Sequence, residues 1–197
     1  MRSTLVAAAL SGGILAGASA RADVIEFTFR GRIDSIGGAV PAPVQIGDDY
    51  EFRYRFDSTA VDADPAPNVG NYEGAIFRAW VTIGTYSTQQ NAPADIFVLN
   101  DGFAGDSYSA NVFGPITSTI LNMTNLGGAA FNSDALPSDL VLSQWQIRSF
   151  SFQQDVGPAF WSAEGSVTDF ESRIVPAPGV GMLGLVCGFA VLPRRRC

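Results

Sequence analysis

The chain has 197 residues with 12 basic and 19 acidic side chains, a net charge of −7, and every basic residue is arginine because lysine and histidine are absent. This composition excludes histidine-dependent catalytic triads, histidine metal sites and Schiff-base lysine chemistry. All nineteen acids lie in residues 23–175 beside seven arginines, which gives this region a charge of −12, so no nucleic-acid partner is expected.

The N-terminal segment, residues 1–22, has the order of basic, apolar and small residues that is typical of a secretory signal peptide. Arg2 precedes an apolar run over residues 5–18, and Ala-x-Ala cleavage sites end at Ala20 and Ala22. We expect a signal helix, passage through an export translocon and removal by signal peptidase.

Residues 23–174 are predicted to form one β-domain. Apolar and polar residues alternate from Ile25 to Ile33 and from Tyr50 to Phe56, which is the period of a half-buried strand. Further strands are predicted at residues 72–83, 95–99, 107–113, 116–123, 140–152 and 160–170, separated by clusters of glycine and proline. The expected fold class is all-β, an antiparallel β-sandwich or jelly roll of about eight to ten strands. A signal helix and a C-terminal hydrophobic helix are expected to flank it.

The segment from Asp57 to Glu73 concentrates oxygen donors of the kind that Ca²⁺ takes in sets of about 6 to 8. The candidate ligands are Asp57, Asp62, Asp64 and Asn68, with Asn71 and Glu73 close by in sequence, but they lack the spacing of an EF-hand. The alternative is that these side chains cap turns of a loop stiffened by prolines. Calcium is therefore the one candidate cofactor, and Asn100, Asp101 and Asp106 form a second, weaker cluster.

One tryptophan is a candidate ligand-binding residue. Trp80 shares strand parity with Arg78 and Thr82, so it is predicted on the polar face of its strand. An exposed indole beside polar groups can stack on a sugar ring. Packing against a loop is the alternative for Trp80, and also for Trp145 and Trp161.

Four glutamates on predicted strands leave an enzymatic alternative open. Glu26, Glu51, Glu73 and Glu164 are candidates for the paired carboxyl groups of a glycosidase, which stand about 5 to 9 Å apart. Surface solvation is the simpler explanation for each of them. We therefore expect no catalytic residue and a non-enzymatic protein.

The C-terminal segment, residues 175–197, combines a proline motif, an apolar stretch and a basic end. Val175, Pro176, Ala177 and Pro178 precede an apolar run that ends at Leu192, and Arg194, Arg195 and Arg196 precede Cys197. As a helix, residues 179–192 would span about 21 Å, against a hydrocarbon core of about 30 Å. We predict a short transmembrane helix with its arginines on the cytoplasmic side, which places residues 23–174 outside the cell.

This three-part tail resembles the sorting domain of the PEP-CTERM family, with Ala177 at the position of that family's usual glutamate. The resemblance implies an exosortase-type protease that processes the tail and delivers the ectodomain to the cell surface or extracellular polymer matrix. Residues 54–59, 64–72, 100–101 and 105–108 also resemble ectodomains that occur beside such tails, which implies fold and location but no catalytic residue.

Together these features predict an exported bacterial protein. It would be anchored transiently in the inner membrane through its C-terminal helix and would then lie at the cell surface or in the extracellular space. The expected role is structural or adhesive, with an extracellular polysaccharide as the candidate partner. The alternative is a secreted glycosidase-like hydrolase that uses paired strand glutamates.

Overall fold

The computed structural model describes residues 23–40, 43–91 and 93–175. This part of the chain contains nine β-strands and one 3₁₀ turn. The strands are β1 (Val24–Gly38), β2 (Asp49–Asp57), β3 (Val69–Ile83), β4 (Tyr86–Gln90), β5 (Ala94–Gly102), β6 (Gly105–Phe113), β7 (Thr117–Asn125), β8 (Ile147–Val156) and β9 (Ala159–Val175). The 3₁₀ turn, Leu142–Gln144, lies in the long connection between β7 and β8.

The strands form a single antiparallel sheet in the order β2-β1-β9-β8-β7-β6-β5-β3-β4. A further pairing between β2 and β3 joins the sheet to itself, so eight strands close into a barrel and β4 is an additional strand on the edge of β3. The predicted β-sandwich or jelly roll is therefore wrong.

The sheet closes because its strands are long and bent. The pairing register shifts on both sides of Gly31, between Arg30 and Gly31 and again between Ile33 and Ser35. Further shifts occur where β2 meets β3, where β3 meets β5 and where β5 meets β6. Each bulge increases the local twist and bends the strand. Repeated bends allow one sheet to curl until β2 meets β3.

Aromatic rings fill the interior of the barrel. The rings of Phe27, Phe29, Phe52, Tyr54, Phe56, Tyr108, Phe150, Phe152 and Trp161 are each no more than 1 % exposed. They come from alternate positions of their strands, so the intervening residues face outward. The outer surface of the same strands therefore carries most of the polar chemistry of the domain.

The predicted helical flanks require a correction. The described residues contain no α-helix, and none of their elements is a helix long and apolar enough to cross a membrane. The described residues therefore hold no counterpart of the predicted transmembrane helix, which we do not retain. Residues 1–22 and 176–197 lie outside the described residues, and with them the cleavage sites at Ala20 and Ala22 and the sorting residues Pro176, Ala177, Pro178, Arg194, Arg195 and Arg196.

Candidate functional site

The arginines of the ectodomain are concentrated on one side of the barrel. Of the seven arginines in residues 23–175, six point outward from the neighbouring strands β9, β1, β2 and β3. They are Arg30, Arg32, Arg53, Arg55, Arg78 and Arg173, and only Arg148 lies elsewhere. We call the outward-facing residues of β9, β1, β2, β3 and β4 the arginine face.

Trp80 lies in the middle of this face and is partly exposed. Its cross-strand partners are Arg53 on β2 and Gln89 on β4. The indole N–H donates a hydrogen bond of 3.0 Å to Oε1 of Gln89. The extra strand β4 therefore fixes the orientation of the ring.

Three guanidinium groups surround the Trp80 ring. Their central carbons lie 4.6 Å (Arg53), 5.3 Å (Arg55) and 5.8 Å (Arg78) from the ring centroid. Cations at this range are attracted to an indole by about 0.5 to 2 kcal/mol each. The ring thus holds three positive charges close together on a domain that is otherwise strongly acidic.

One of the three charges is balanced by a buried carboxylate. Glu26 is 1 % exposed and accepts a hydrogen bond of 2.6 Å from Nε of Arg55. It also pairs with Nη2 of Arg173. Burial by itself would raise the pKa of the Glu26 carboxyl group, but the hydrogen bonds and charges of the two arginines outweigh this effect and lower it.

The remaining ion pairs of the face involve Arg30 and Arg32. Arg30 contacts Glu51 at 3.0 Å, Asp169 at 3.1 Å and Glu171 at 3.3 Å. Arg32 contacts Asp49 at 3.2 Å. Next to these pairs, a groove of about 630 Å³ runs between the outer sides of β1, β2 and β9 and includes Asp34 and Ser166 in its lining.

Arg53 and Arg78 have no such partner. Within the described part of the chain, neither makes an ion pair with a carboxylate. Nε of Arg53 is moreover buried and has no hydrogen-bond acceptor among the described residues. Of the three arginines near Trp80, Arg53 is the closest to the ring centroid and Arg78 is the farthest. Within the described residues, no acid neutralises either of them.

The candidate calcium ligands are used mainly for turn capping. Asp57 Oδ1 accepts from the backbone N–H of Thr59, and Asp64 Oδ1 accepts from that of Ala66. Asp62 Oδ1 accepts from the backbone N–H groups of Asp64 and Asn71. In residues 23–40, 43–91 and 93–175, no group of three or more acidic or cysteine side chains is arranged to hold a metal. Calcium binding, including the suggested role of Asn68, stays a prediction.

The second acidic cluster has a structural role. Asp106 is fully buried, and its carboxylate accepts hydrogen bonds from the backbone N–H groups of Asp101, Ala130 and Phe131. It therefore fixes the β5–β6 turn and the start of the β7–β8 connection at the same end of the barrel.

The four strand glutamates do not form an acid pair in any described contact. Glu26 and Glu51 are engaged by arginines. Glu73 accepts from the side chain of Asn71. Glu164 lies on β9 and accepts from the hydroxyl of Ser35.

Sequence reasoning placed Trp80 on the polar face with Arg78 and Thr82, but it did not include Arg53 or Arg55 in the site. Both arginines alternate with aromatic residues on β2, which marks them as outward-facing. Only the pairing of β2 with β3 brings them to the indole. Trp145 and Trp161 are 3 % and 0 % exposed, so packing was the correct alternative for these two.

No protein-family model matches the chain, and no significant match was found among curated proteins or solved structures. The function must therefore be inferred from the geometry of this chain.

Proposed function

We propose that this chain is an exported, non-enzymatic protein of the cell surface or extracellular matrix, with a structural or adhesive role. In this proposal the arginine face binds an extracellular polysaccharide. The observation that carries it is Trp80, a partly exposed indole held by Gln89 among polar side chains on the outside of a rigid barrel.

The chemistry of the face suits a sugar. A pyranose presents C–H groups on its faces and hydroxyl groups at its rim. The exposed part of the Trp80 indole supplies an apolar surface for the C–H groups. Hydrogen-bonding groups for the sugar hydroxyls come from Arg53, Arg78 and the exposed side chain of Gln89 around the ring. The face lies across adjacent strands and not in a deep pocket, which favours a long polymer over a small molecule.

The glycosidase alternative receives no support from a specific observation. A general acid needs a raised pKa, whereas the arginines around Glu26 lower the pKa of its carboxyl group. Glu51 is held by Arg30. We therefore propose binding without catalysis.

The binding proposal is tested with the purified full-length chain on a panel of neutral and acidic polysaccharides, with and without calcium. We expect retention on at least one polymer and a loss of about tenfold or more in affinity for Trp80→Ala, since stacking residues carry much of such binding. Phe103→Ala is the matched control, because Phe103 is fully exposed on the β5–β6 turn, outside the face. Absence of retention on every polymer would overturn the proposal.

For export, we propose that signal peptidase removes the N-terminal segment and that an exosortase-type protease acts at the Val175–Pro178 motif. The pairing of Val24 with Val175 supports this arrangement, because the described strands begin and end there and cleavage beyond them would leave their pairing intact. The mass of the exported protein tests it. A shortened product is expected from the natural chain, and a longer one after alanine replacement of Val175, Pro176 and Pro178. Equal masses would contradict processing at this motif.

A further inference from the structure

We propose that the polymer bound at the arginine face is anionic, and that one of its carboxylate or sulfate groups binds to Arg53 and Arg78 beside Trp80. This inference rests on the proposed function and names the chemical class of the ligand.

The first argument is electrostatic. Three guanidinium groups lie within 5.8 Å of one ring centroid, and only Arg55 has a carboxylate partner there. Like charges held this close repel one another, because the nearby protein lowers the effective dielectric constant below that of water. An anion placed between Arg53 and Arg78 would remove this repulsion.

The second argument is the unused donor of Arg53. Its Nε–H is buried and has no acceptor within the described residues. Buried donors in proteins are almost always paired with protein, water or ligand. The Arg53 side chain as a whole is partly exposed, so a carboxylate or sulfate oxygen can reach its guanidinium group, which binds such oxyanions with charge-assisted hydrogen bonds.

The third argument is that acids are not scarce. Residues 23–175 contain nineteen acids and seven arginines. On the same face, Arg30 has three carboxylate partners and Arg32 has one. The lack of partners at Arg53 and Arg78 is therefore a local feature of the Trp80 environment and not a consequence of composition.

The rest of the molecule restricts where such a ligand can bind. With a charge of −12 on residues 23–175, most of the surface repels a polyanion. Contact is then confined to the part of the arginine face around Trp80, where Arg53 and Arg78 have no acid partner among the described residues, and added salt weakens it by screening the local attraction. Uronic acids carry carboxylate groups and sulfated sugars carry sulfate esters. Both are oxyanions that a guanidinium group can bind, so the experiment compares a polymer of each kind.

The test uses three polymers with one backbone: dextran, carboxymethyl-dextran and dextran sulfate. The full-length natural chain should bind at least one of the charged forms about tenfold more tightly than dextran at low salt. The double variant Arg53→Gln/Arg78→Gln should bind the charged and neutral forms equally. Arg148→Gln, which loses the same kind of charge on β8, four strands from Trp80 in the sheet, should behave like the natural chain. The charged dextran that binds more tightly shows whether the site prefers a carboxylate or a sulfate group.

A single variant distinguishes loss of binding from loss of folding. Arg78 is exposed, so Arg78→Gln should keep the natural melting temperature and still lose most of the preference for charged dextran. Equal binding of dextran and its charged forms by the natural chain would overturn the anionic inference while leaving polysaccharide binding intact. A preference that survives in the double variant would overturn it as well. If the chain binds no polymer of this series or of the wider panel, the proposed function itself fails.

Discussion

At the scale of single residues, the barrel interior contains one notable polar contact. The hydroxyl groups of Tyr54 and Tyr108 lie 2.5 Å apart, and both rings are fully buried. Burial raises the pKa of both phenols, so neither ionises at physiological pH. Each hydroxyl therefore depends on the other for its hydrogen bond.

This dependence predicts a non-additive mutant cycle. Tyr54→Phe or Tyr108→Phe alone should lower the free energy of unfolding by about 1 to 3 kcal/mol, because the remaining hydroxyl is left buried without a partner. The double variant should lower the free energy of unfolding by clearly less than the sum of the two single losses. Urea unfolding of the four proteins measures the coupling, and strictly additive losses would show that the two hydroxyls do not depend on each other.

Glu26 predicts a dependence of stability on pH. Its folded-state pKa lies below the ordinary value of 4.5, so the charged carboxylate stabilises the fold above that pH. This contribution is lost as the pH falls below about 4.5, through the folded-state pKa. At pH 7, Glu26→Gln should lower the free energy of unfolding by about 1 to 3 kcal/mol, since Arg55 and Arg173 lose their buried partner.

The control for Glu26 is Glu171→Gln. The Glu171 side chain is 56 % exposed, and its one ion pair among the described residues is with Arg30, so its replacement should lower the free energy of unfolding by about 1 kcal/mol or less. Urea unfolding between pH 7 and pH 3 should show the difference between the natural chain and Glu26→Gln shrinking as the pH falls. A difference that is constant over this range would contradict the assignment.

At the scale of elements, curvature comes from bulges and from close contacts across β1 and β9. At Gly31, an added Cβ would lie 1.9 Å from the backbone oxygen of Ser166 on β9 and 2.8 Å from the ring of Tyr50. The Ser166 oxygen cannot move away, because it belongs to a paired strand. The Tyr50 ring is also held in place, because it stacks on Phe150 with the ring centroids 4.1 Å apart. The two long strands can approach this closely only without a side chain at residue 31.

We therefore predict that Gly31→Ala lowers the free energy of unfolding by about 3 kcal/mol or more, through overpacking against the backbone. Gly127→Ala is the control, because the nearest atom to its added Cβ is a side-chain oxygen at 3.2 Å, and its cost should be about 0.5 kcal/mol or less. Thermal and urea unfolding provide the comparison. Equal losses in the two variants would remove the proposed reason for glycine at residue 31.

Most strands were predictable from the sequence, and the exceptions have physical causes. β4, Tyr86–Gln90, has no apolar alternation because it is a short strand whose one partner within the described sheet is β3. The strand predicted from residue 140 begins only at Ile147. Leu140 and Trp145 are buried as loop residues, so their apolar character did not indicate a strand.

At the scale of the whole molecule, the pairing of β1 with β9 brings the ends of the described chain together. Val24 pairs with Val175, and β1 pairs with β9 along most of its length. Joining these ends should therefore leave the pairing of the barrel unchanged.

A circular permutant tests this arrangement of the ends. With residues 175 and 23 joined by a short glycine linker and new ends at Gly157 in the exposed β8–β9 turn, we expect cooperative unfolding and a melting temperature within about 5 °C of the natural domain. A second permutant, opened at Phe29 inside β1, should not fold, because that strand is paired on both edges. Equal behaviour of the two permutants would contradict the closed arrangement.

The sequence by itself determined which residues alternate between core and surface, because strand parity is a local property of the backbone. It also determined the acidic charge, the absence of histidine and lysine, and the position of Trp80 on a polar face. Only the tertiary structure decided that the sheet closes into a barrel, since closure depends on bulges and on close contacts such as that at Gly31. The tertiary structure likewise assembled the arginine face, because the register of β2 on β3 brings Arg53 and Arg55 to Trp80. The alternation of residues within one strand does not determine its register with a neighbouring strand.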